Sequence, residues 1–154
     1  MSKTTRCLSV FFLLFAVVRA ADVGERLFYC LPKNVDQAAF IQDLQHHWQA
    51  SKLVVLARVE WTKKRETLIL VCVLRSRGRT PEVGGRVVTW DRSDNPLFSH
   101  VVAPKYALVF FADYEKNPRS GEAVYLREEV DEDHEQAISY ADLISLMRQK
   151  EPNQ

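Results

Sequence analysis

Lys52-Leu-Val-Val-Leu-Ala-Arg-Val-Glu-Trp61, then Thr62-Lys63-Lys64-Arg65, then Glu66-Thr-Leu-Ile-Leu-Val-Cys-Val-Leu-Arg75: the reading of this stretch decides the fold. Valine, leucine and isoleucine crowd both apolar runs, and such side chains fit the pleated surface of a strand. The polar link interrupts them where a hairpin would reverse the chain. The spacing therefore predicts two long antiparallel strands. Both runs are apolar on nearly every residue through their middles, so both faces are expected to be covered, as in a closed barrel with something packed outside it.

Upstream, Leu31-Pro-Lys-Asn34 reads as a turn, and residues 35–50 read as a helix with Asp36 or Asn34 as its cap. Phe40, Ile41, Leu44, His47 and Trp48 recur at helical spacing and form one apolar stripe, expected to plug or cover the barrel. The adjacent pair His46-His47 is a poor chelate, because neighbours on a helix point about 100° apart. One histidine is expected beside Trp48 and the other in solvent.

Downstream, Ser76-Arg-Gly-Arg-Thr-Pro-Glu-Val-Gly-Gly85 is a loop by its glycines and proline, and no lysine-threonine or helix start follows to make it a phosphate cradle. Arg75, Arg77 and Arg79 form a candidate basic patch there. Lys63, Lys64 and Arg65 lie at the other end of a strand, roughly 33 Å away, so the two groups are expected to be separate solvated loops. Strands follow at Arg86-Val-Val-Thr-Trp90, Leu97-Phe-Ser-His-Val-Val102, Tyr106-Ala-Leu-Val-Phe-Phe111 and Ala123-Val-Tyr-Leu-Arg127, with Pro96 and Pro104 punctuating them. No helix of crossover type intervenes. The fold class is mainly β, an antiparallel barrel of five to six strands with an N-terminal and a C-terminal helix.

The run 128–135 holds Glu128, Glu129, Asp131, Glu132, Asp133 and Glu135 but lacks the glycine and the alternation of an EF-hand loop. It reads as a solvated acidic loop, with recognition of a basic partner as the other use. Ser139 then caps a helix running to about residue 149, with Tyr140, Leu143, Ile144, Leu146 and Met147 on an apolar side that is expected to pack back onto the barrel, its less buried residues being the candidates for a docking face.

At the start, Met1-Ser-Lys-Thr-Thr-Arg-Cys7 is basic, Leu8-Ser-Val-Phe-Phe-Leu-Leu-Phe-Ala-Val-Val18 is apolar, and Val18-Arg19-Ala20 fits a cleavage site. Residues 1–20 are therefore expected to be a signal peptide and 21–154 a secreted, extracellular single domain. Removing Lys3, Arg6 and Arg19 leaves 18 basic against 20 acidic residues, a formal charge of −2. That balance argues against nucleic acid. Cys7 leaves with the signal, and Cys30 and Cys72 most simply pair in an oxidising compartment. The bridge would close a loop of 42 residues, and it would contribute about 4 kcal/mol on the chain-entropy estimate. Two buried thiols or an intermolecular bond are the other readings.

No Gly-x-Ser-x-Gly, His-Glu-x-x-His or Cys-x-x-Cys occurs, and His100 and His134 are scattered. The expectation is a non-enzymatic protein without metal or other cofactor.

The signal segment, early cysteine, short helix, Leu53-Val-Val-Leu-Ala-Arg-Val59, Cys72 inside the next strand, Gly85-Arg-Val-Val88, Asn95-Pro-Leu-Phe98 and Ala107-Leu-Val-Phe-Phe111 give an order that resembles a known superfamily. It is the netrin-like and tissue-inhibitor-of-metalloproteinase superfamily of OB-fold modules, and within it the agrin N-terminal domain is most similar. The resemblance covers most of residues 30–149. It implies an extracellular module that binds laminin, a coiled-coil matrix protein, through its C-terminal helix. Leu143, Ile144, Leu146 and Met147 stand at the positions of that helix. The proteinase inhibitors of the superfamily instead begin with a cysteine whose α-amine binds the target's zinc, whereas here Ala21 to Tyr29 precede Cys30. A third use of an OB barrel is glycan binding, for which Trp61, Trp90 and Tyr106 would supply stacking faces.

Overall fold

The computed structural model describes residues 26–62, 64–91 and 104–149. The expected signal segment, Lys63, and the expected strand at 97–102 with its His100 lie outside the described residues. In chain order the elements are β1 (Phe28–Pro32), α1 (Gln37–Ala50), β2 (Leu53–Trp61), β3 (Arg65–Ser76), β4 (Arg86–Asp91), β5 (Tyr106–Phe111), a 3-10 turn (Pro118–Ser120), β6 (Glu122–Leu126), β7 (Glu135–Ser139) and α2 (Tyr140–Arg148). The predicted hairpin is present as β2 and β3, antiparallel from Leu53↔Ser76 to Trp61↔Glu66. It lies at the centre of a five-stranded antiparallel sheet of order β4-β3-β2-β5-β6, while β1 and β7 form a second, two-stranded antiparallel sheet.

The alternation of side chains along β2 divides two cores. Val54 and Leu56 face the helices, where they meet Trp48 and Leu44 of α1, Leu108 and Phe110 of β5, and Leu143 and Met147 of α2. Leu53, Val55, Ala57 and Val59 face the other way, onto Leu68, Leu70, Val87, Val88, Val109 and Phe111. The expected cover on both faces is therefore present. Helices supply one cover, and the sheet supplies the other by curling over itself. Bulges are the cause of the curl. The β2–β3 register slips between Val54 and Val55 and again between Leu56 and Ala57, leaving extra residues on β3. A further slip beside Leu68 does the same on β4. Each extra residue bends its strand and raises the local right-handed twist.

The sheet does not close into the expected barrel. Among the described residues β4 and β6 are its edges, and no ladder joins them. Side chains span the gap instead: Trp90 Nε1 donates to the Arg119 carbonyl at 3.2 Å and the Tyr114 hydroxyl to the Val87 carbonyl at 3.3 Å. At the far edge, Phe28 and Arg127 exchange a pair of 2.8 Å backbone bonds, which link β6 to the small sheet.

Both helix starts follow their caps. Asp36 accepts from the Ala38 amide at 2.9 Å, and Ser139 Oγ from the Asp142 amide at 3.2 Å. Such caps satisfy amides that lack a partner within the helix. Gln45, 8 % exposed, donates to the Leu146 carbonyl at 2.8 Å and so ties α1 to α2. Tyr29 of β1 stacks on Phe40 of α1 at 4.5 Å between ring centroids.

Candidate functional site

The open side of the curled sheet forms a cleft of about 560 Å³, lined by Trp90, Asp91, Gly121, Glu122, Ala123 and Tyr125. Its shape depends on a glycine. A Cβ at Gly121 would lie 2.4 Å from Phe111 Cε1, so any side chain there would lift the start of β6 off the core. Below the cleft the Tyr125 hydroxyl donates at 2.6 Å to Glu66, whose side chain is completely buried. The Trp61 ring lies 6.3 Å from that of Tyr125, and its Nε1 donates to the Pro104 carbonyl at 3.0 Å. At the rim Asp91 accepts from Arg65 Nε at 3.1 Å, and Glu122 lies 3.2 Å from His47 Nδ1. Aromatic faces and carboxylates thus share one concave surface, a combination that holds ligands with both an apolar face and hydrogen-bond donors or positive charge. Of the three aromatics expected to act together, Trp61 and Trp90 pack against this second core. Tyr106 packs on the helix side instead, and Tyr125 takes its place.

The residues expected to dock a partner are placed differently. Leu143 and Met147 are fully buried and Ile144 is 9 % exposed, all within the helix-side core. Leu146 is half-buried. The apolar side of α2 therefore packs on the protein's own sheet and α1, as a helix folded back onto the sheet is expected to, and Leu146 is the least buried of the four. A nine-residue helix has one such stripe, and here the sheet takes it.

The basic residues are also rearranged. Arg75 is half-buried, its guanidinium carbon 5.6 Å from the centre of the Trp48 ring, and Arg148 from α2 sits 5.7 Å from the same ring. Burial, then the nearby charge of Arg77, lowers the pKa of Arg75. Arg77 and Arg79 are exposed on the loop that follows.

No family model, curated protein or solved structure matches this chain. The netrin-like resemblance therefore rests on the sequence pattern alone.

Cys30 and Cys72 stand as free thiols in this structure, without the expected bridge. Cys30 Sγ donates to the Glu129 carbonyl at 3.8 Å and lies beside Arg127 and Glu135, whereas Cys72 lies beside Tyr140 in the helix-side core. Burial pushes both thiols up, against the lowering effects of Arg127 on Cys30 and of hydrogen bonds with Tyr140 and the Leu56 backbone on Cys72. Neither environment generates a reactive thiolate. Tyr140 is raised well above the usual phenol range by burial and by Cys72.

Of the histidine pair His46 is exposed, as expected, and His47 is half-buried against Phe110, 6.1 Å between ring centroids, where Trp48 was the expected neighbour; His47 also lies 3.6 Å from Asp43. Among the described residues no group of three or more histidine, cysteine or acidic side chains is arranged to hold a metal. The acidic run partners itself and its neighbours: Arg127 pairs with Glu135, His134 Nδ1 lies 3.0 Å from Asp131, and Lys105 reaches Glu128 at 3.4 Å. The His134 ring holds the Asp131 carboxyl below its usual range. Among the described residues no helix is long and apolar enough to cross a membrane.

The cleft as a whole escaped sequence reading. Trp90 was expected to offer a stacking face, and Gly121 gave a further local signal, as a glycine directly before a strand, where a close approach is one of few reasons for it.

Proposed function

We propose that this chain is a secreted, non-enzymatic binding module of OB-like build that grips an extracellular protein partner at the cleft between β4 and β6. The observation that carries this reading is the meeting of Trp90 and Tyr125 with Asp91 and Glu122 around one concave surface. Rigid aromatics present a large contact area at small entropic cost, and a carboxylate rim selects basic or donor-bearing groups of the partner. The curled five-stranded sheet supports an OB-like build, with the ladder between β4 and β6 missing. A laminin-like coiled-coil protein is the partner that the netrin-like resemblance implies. The proteinase-inhibitor alternative fits less well, because Cys30 lies inside β1 opposite Ala137 rather than at a free chain start.

A second reading, a glycan in the same cleft, is favoured by Trp61 and Tyr125 standing 6.3 Å apart beside Trp90. Sugar rings stack on such faces while carboxylates accept from their hydroxyls.

The test is expression in secretory cells followed by capture of purified laminin on immobilised chain. The reading predicts that the protein appears in the medium without residues 1–20, and that Trp90→Ala abolishes capture while leaving the fold intact by circular dichroism. Equal capture by wild type and Trp90→Ala would remove the cleft from the interface. Retention within the cell would remove the extracellular role. Capture of oligosaccharides from a glycan array, but not of laminin, would select the second reading.

A further inference from the structure

Far apart in sequence, two elements bring arginines against Trp48. Arg75 at the end of β3 and Arg148 at the end of α2 place their guanidinium carbons 5.6 and 5.7 Å from the centre of that one indole ring. Arg77 follows in the loop, close enough to act electrostatically on Arg75. Its amide donates at 2.6 Å to the Lys52 carbonyl, which pins the loop to the start of β2. Arg79 extends the run, its amide held by the Glu115 carboxylate at 2.9 Å.

Among the described residues two acids stand near this loop. Asp113 lies 2.9 Å from Lys52 Nζ and 3.6 Å from Lys116 Nζ, and Glu115 accepts from the Arg79 backbone. None of the ion pairs among the described residues engages the guanidinium of Arg77, Arg79 or Arg148. Like charges gathered around a shared ring repel one another, and an anion relieves that repulsion. The indole supplies a fixed platform that orients the two flanking guanidinium groups.

We propose that Arg75, Arg77, Arg79 and Arg148 form a binding surface for a sulfated polysaccharide chain, separate from the β4–β6 cleft. The kind of partner follows from what the patch lacks. Trp48, at its centre, is 1 % exposed, so it offers no apolar anchor of the sort protein interfaces use. Binding here draws on release of counterions from a dense line of charge, which an extended polyanion provides and a folded acidic protein does not. The planar fork of a guanidinium also bonds two oxygens of a tetrahedral sulfate at once, which an ammonium group does not. The choice of polysaccharide over nucleic acid rests on the extracellular reading above; the charge argument does not.

The test is affinity for heparin, measured with the secreted chain by titration across a salt series. The expected log–log slope against salt is about −2 to −4 for three or four engaged arginines. Arg77→Gln with Arg148→Gln should halve that slope and weaken binding at least tenfold. Removal of Lys64 and Arg65 at the far end of β3 should change neither. Arg148→Lys keeps the charge without the planar stack and is expected to fall between, with near-ultraviolet circular dichroism as a check on the Trp48 environment. A slope unchanged by Arg77→Gln and Arg148→Gln, or equal losses from the Lys64 and Arg65 changes, would overturn the site. Equal or tighter binding of polyglutamate or single-stranded DNA of matched charge would overturn the polysaccharide. Heparin binding that survives Trp90→Ala would show the patch to act apart from the cleft, and loss on Trp90→Ala would overturn their separation.

Discussion

Leu143→Ala separates the two roles open to α2. Leu143 is fully buried between α2, α1 and the helix-side face of the sheet, with Leu44, Trp48, Val54, Leu56 and Met147 in the same core. Truncation removes three carbons, worth about 2.4 kcal/mol at about 0.8 kcal/mol for each. The cavity left behind adds to that, since cores relax only partly, and the usual range for such a change is about 2–5 kcal/mol. We expect about 3 kcal/mol here, because α2 is short and its end is able to settle inward. Set against a total stability of about 5–15 kcal/mol, that is a large fraction. It corresponds to a fall in Tm of roughly 10 °C for a chain of this size. The assay is urea unfolding followed by tryptophan fluorescence, in which Trp48 reports on this core. The midpoint should fall while the slope is unchanged, as for a change in stability without a change in the surface exposed. A cost below about 0.5 kcal/mol, the level of an ordinary surface substitution, would refute the inward packing of α2 and return Leu143 to the role of a docking residue.

Three further outcomes follow from the same geometry. Gly121→Ala forces a methyl group against the Phe111 ring, so thermal unfolding should show a loss of about 1–3 kcal/mol, and a change within about 0.5 kcal/mol would contradict the close approach. Tyr125→Phe withdraws the hydroxyl that donates to buried Glu66; a loss of about 1–3 kcal/mol in chemical unfolding is expected when a buried acceptor loses this donor, and a neutral result would remove Glu66 from the energetics of the cleft. Burial holds the thiols of Cys30 and Cys72 and the phenols of Tyr29 and Tyr140 protonated in the fold above the pH at which the unfolded chain releases those protons. The unfolded state then binds fewer protons, so stability should fall as pH rises past about 8.5 and again past about 10. A melting temperature flat from neutral pH to that range, or two thiols that react at once with a disulfide reagent at neutral pH, would contradict this.

What the sequence displayed and what it hid have physical reasons. The β2–β3 hairpin was legible because its apolar runs are long and its link is charged, and the observed ends, Trp61 and Arg65, match that reading closely. The caps Asp36 and Ser139 were legible because capping is a local rule. The pair β1–β7 was not. Each strand has five residues, β7 begins at the last acid of a charged run, and the partners lie a whole chain apart. Barrel closure was overread for a related reason. Unbroken apolar runs indicate that both faces are covered, and bulged strands that curl over themselves provide that cover without a ladder between β4 and β6. The cysteine pairing rested on composition and compartment, which say nothing of direction. In β1, Leu31 packs in the helix-side core and its neighbour Cys30 lies by Arg127, whereas Cys72 lies by Tyr140. Burial of Glu66 and the approach of Arg148 to Trp48 depend on tertiary contacts that leave no periodic trace.

The most direct measurement is hydrogen exchange of the chain with and without its captured extracellular partner, read amide by amide. Added protection at residues 86–91 and 121–125, with α2 unchanged, is the result predicted for a partner held in the β4–β6 cleft. Protection confined to residues 140–148, with the cleft strands unaffected, would contradict it and place the grip on the C-terminal helix.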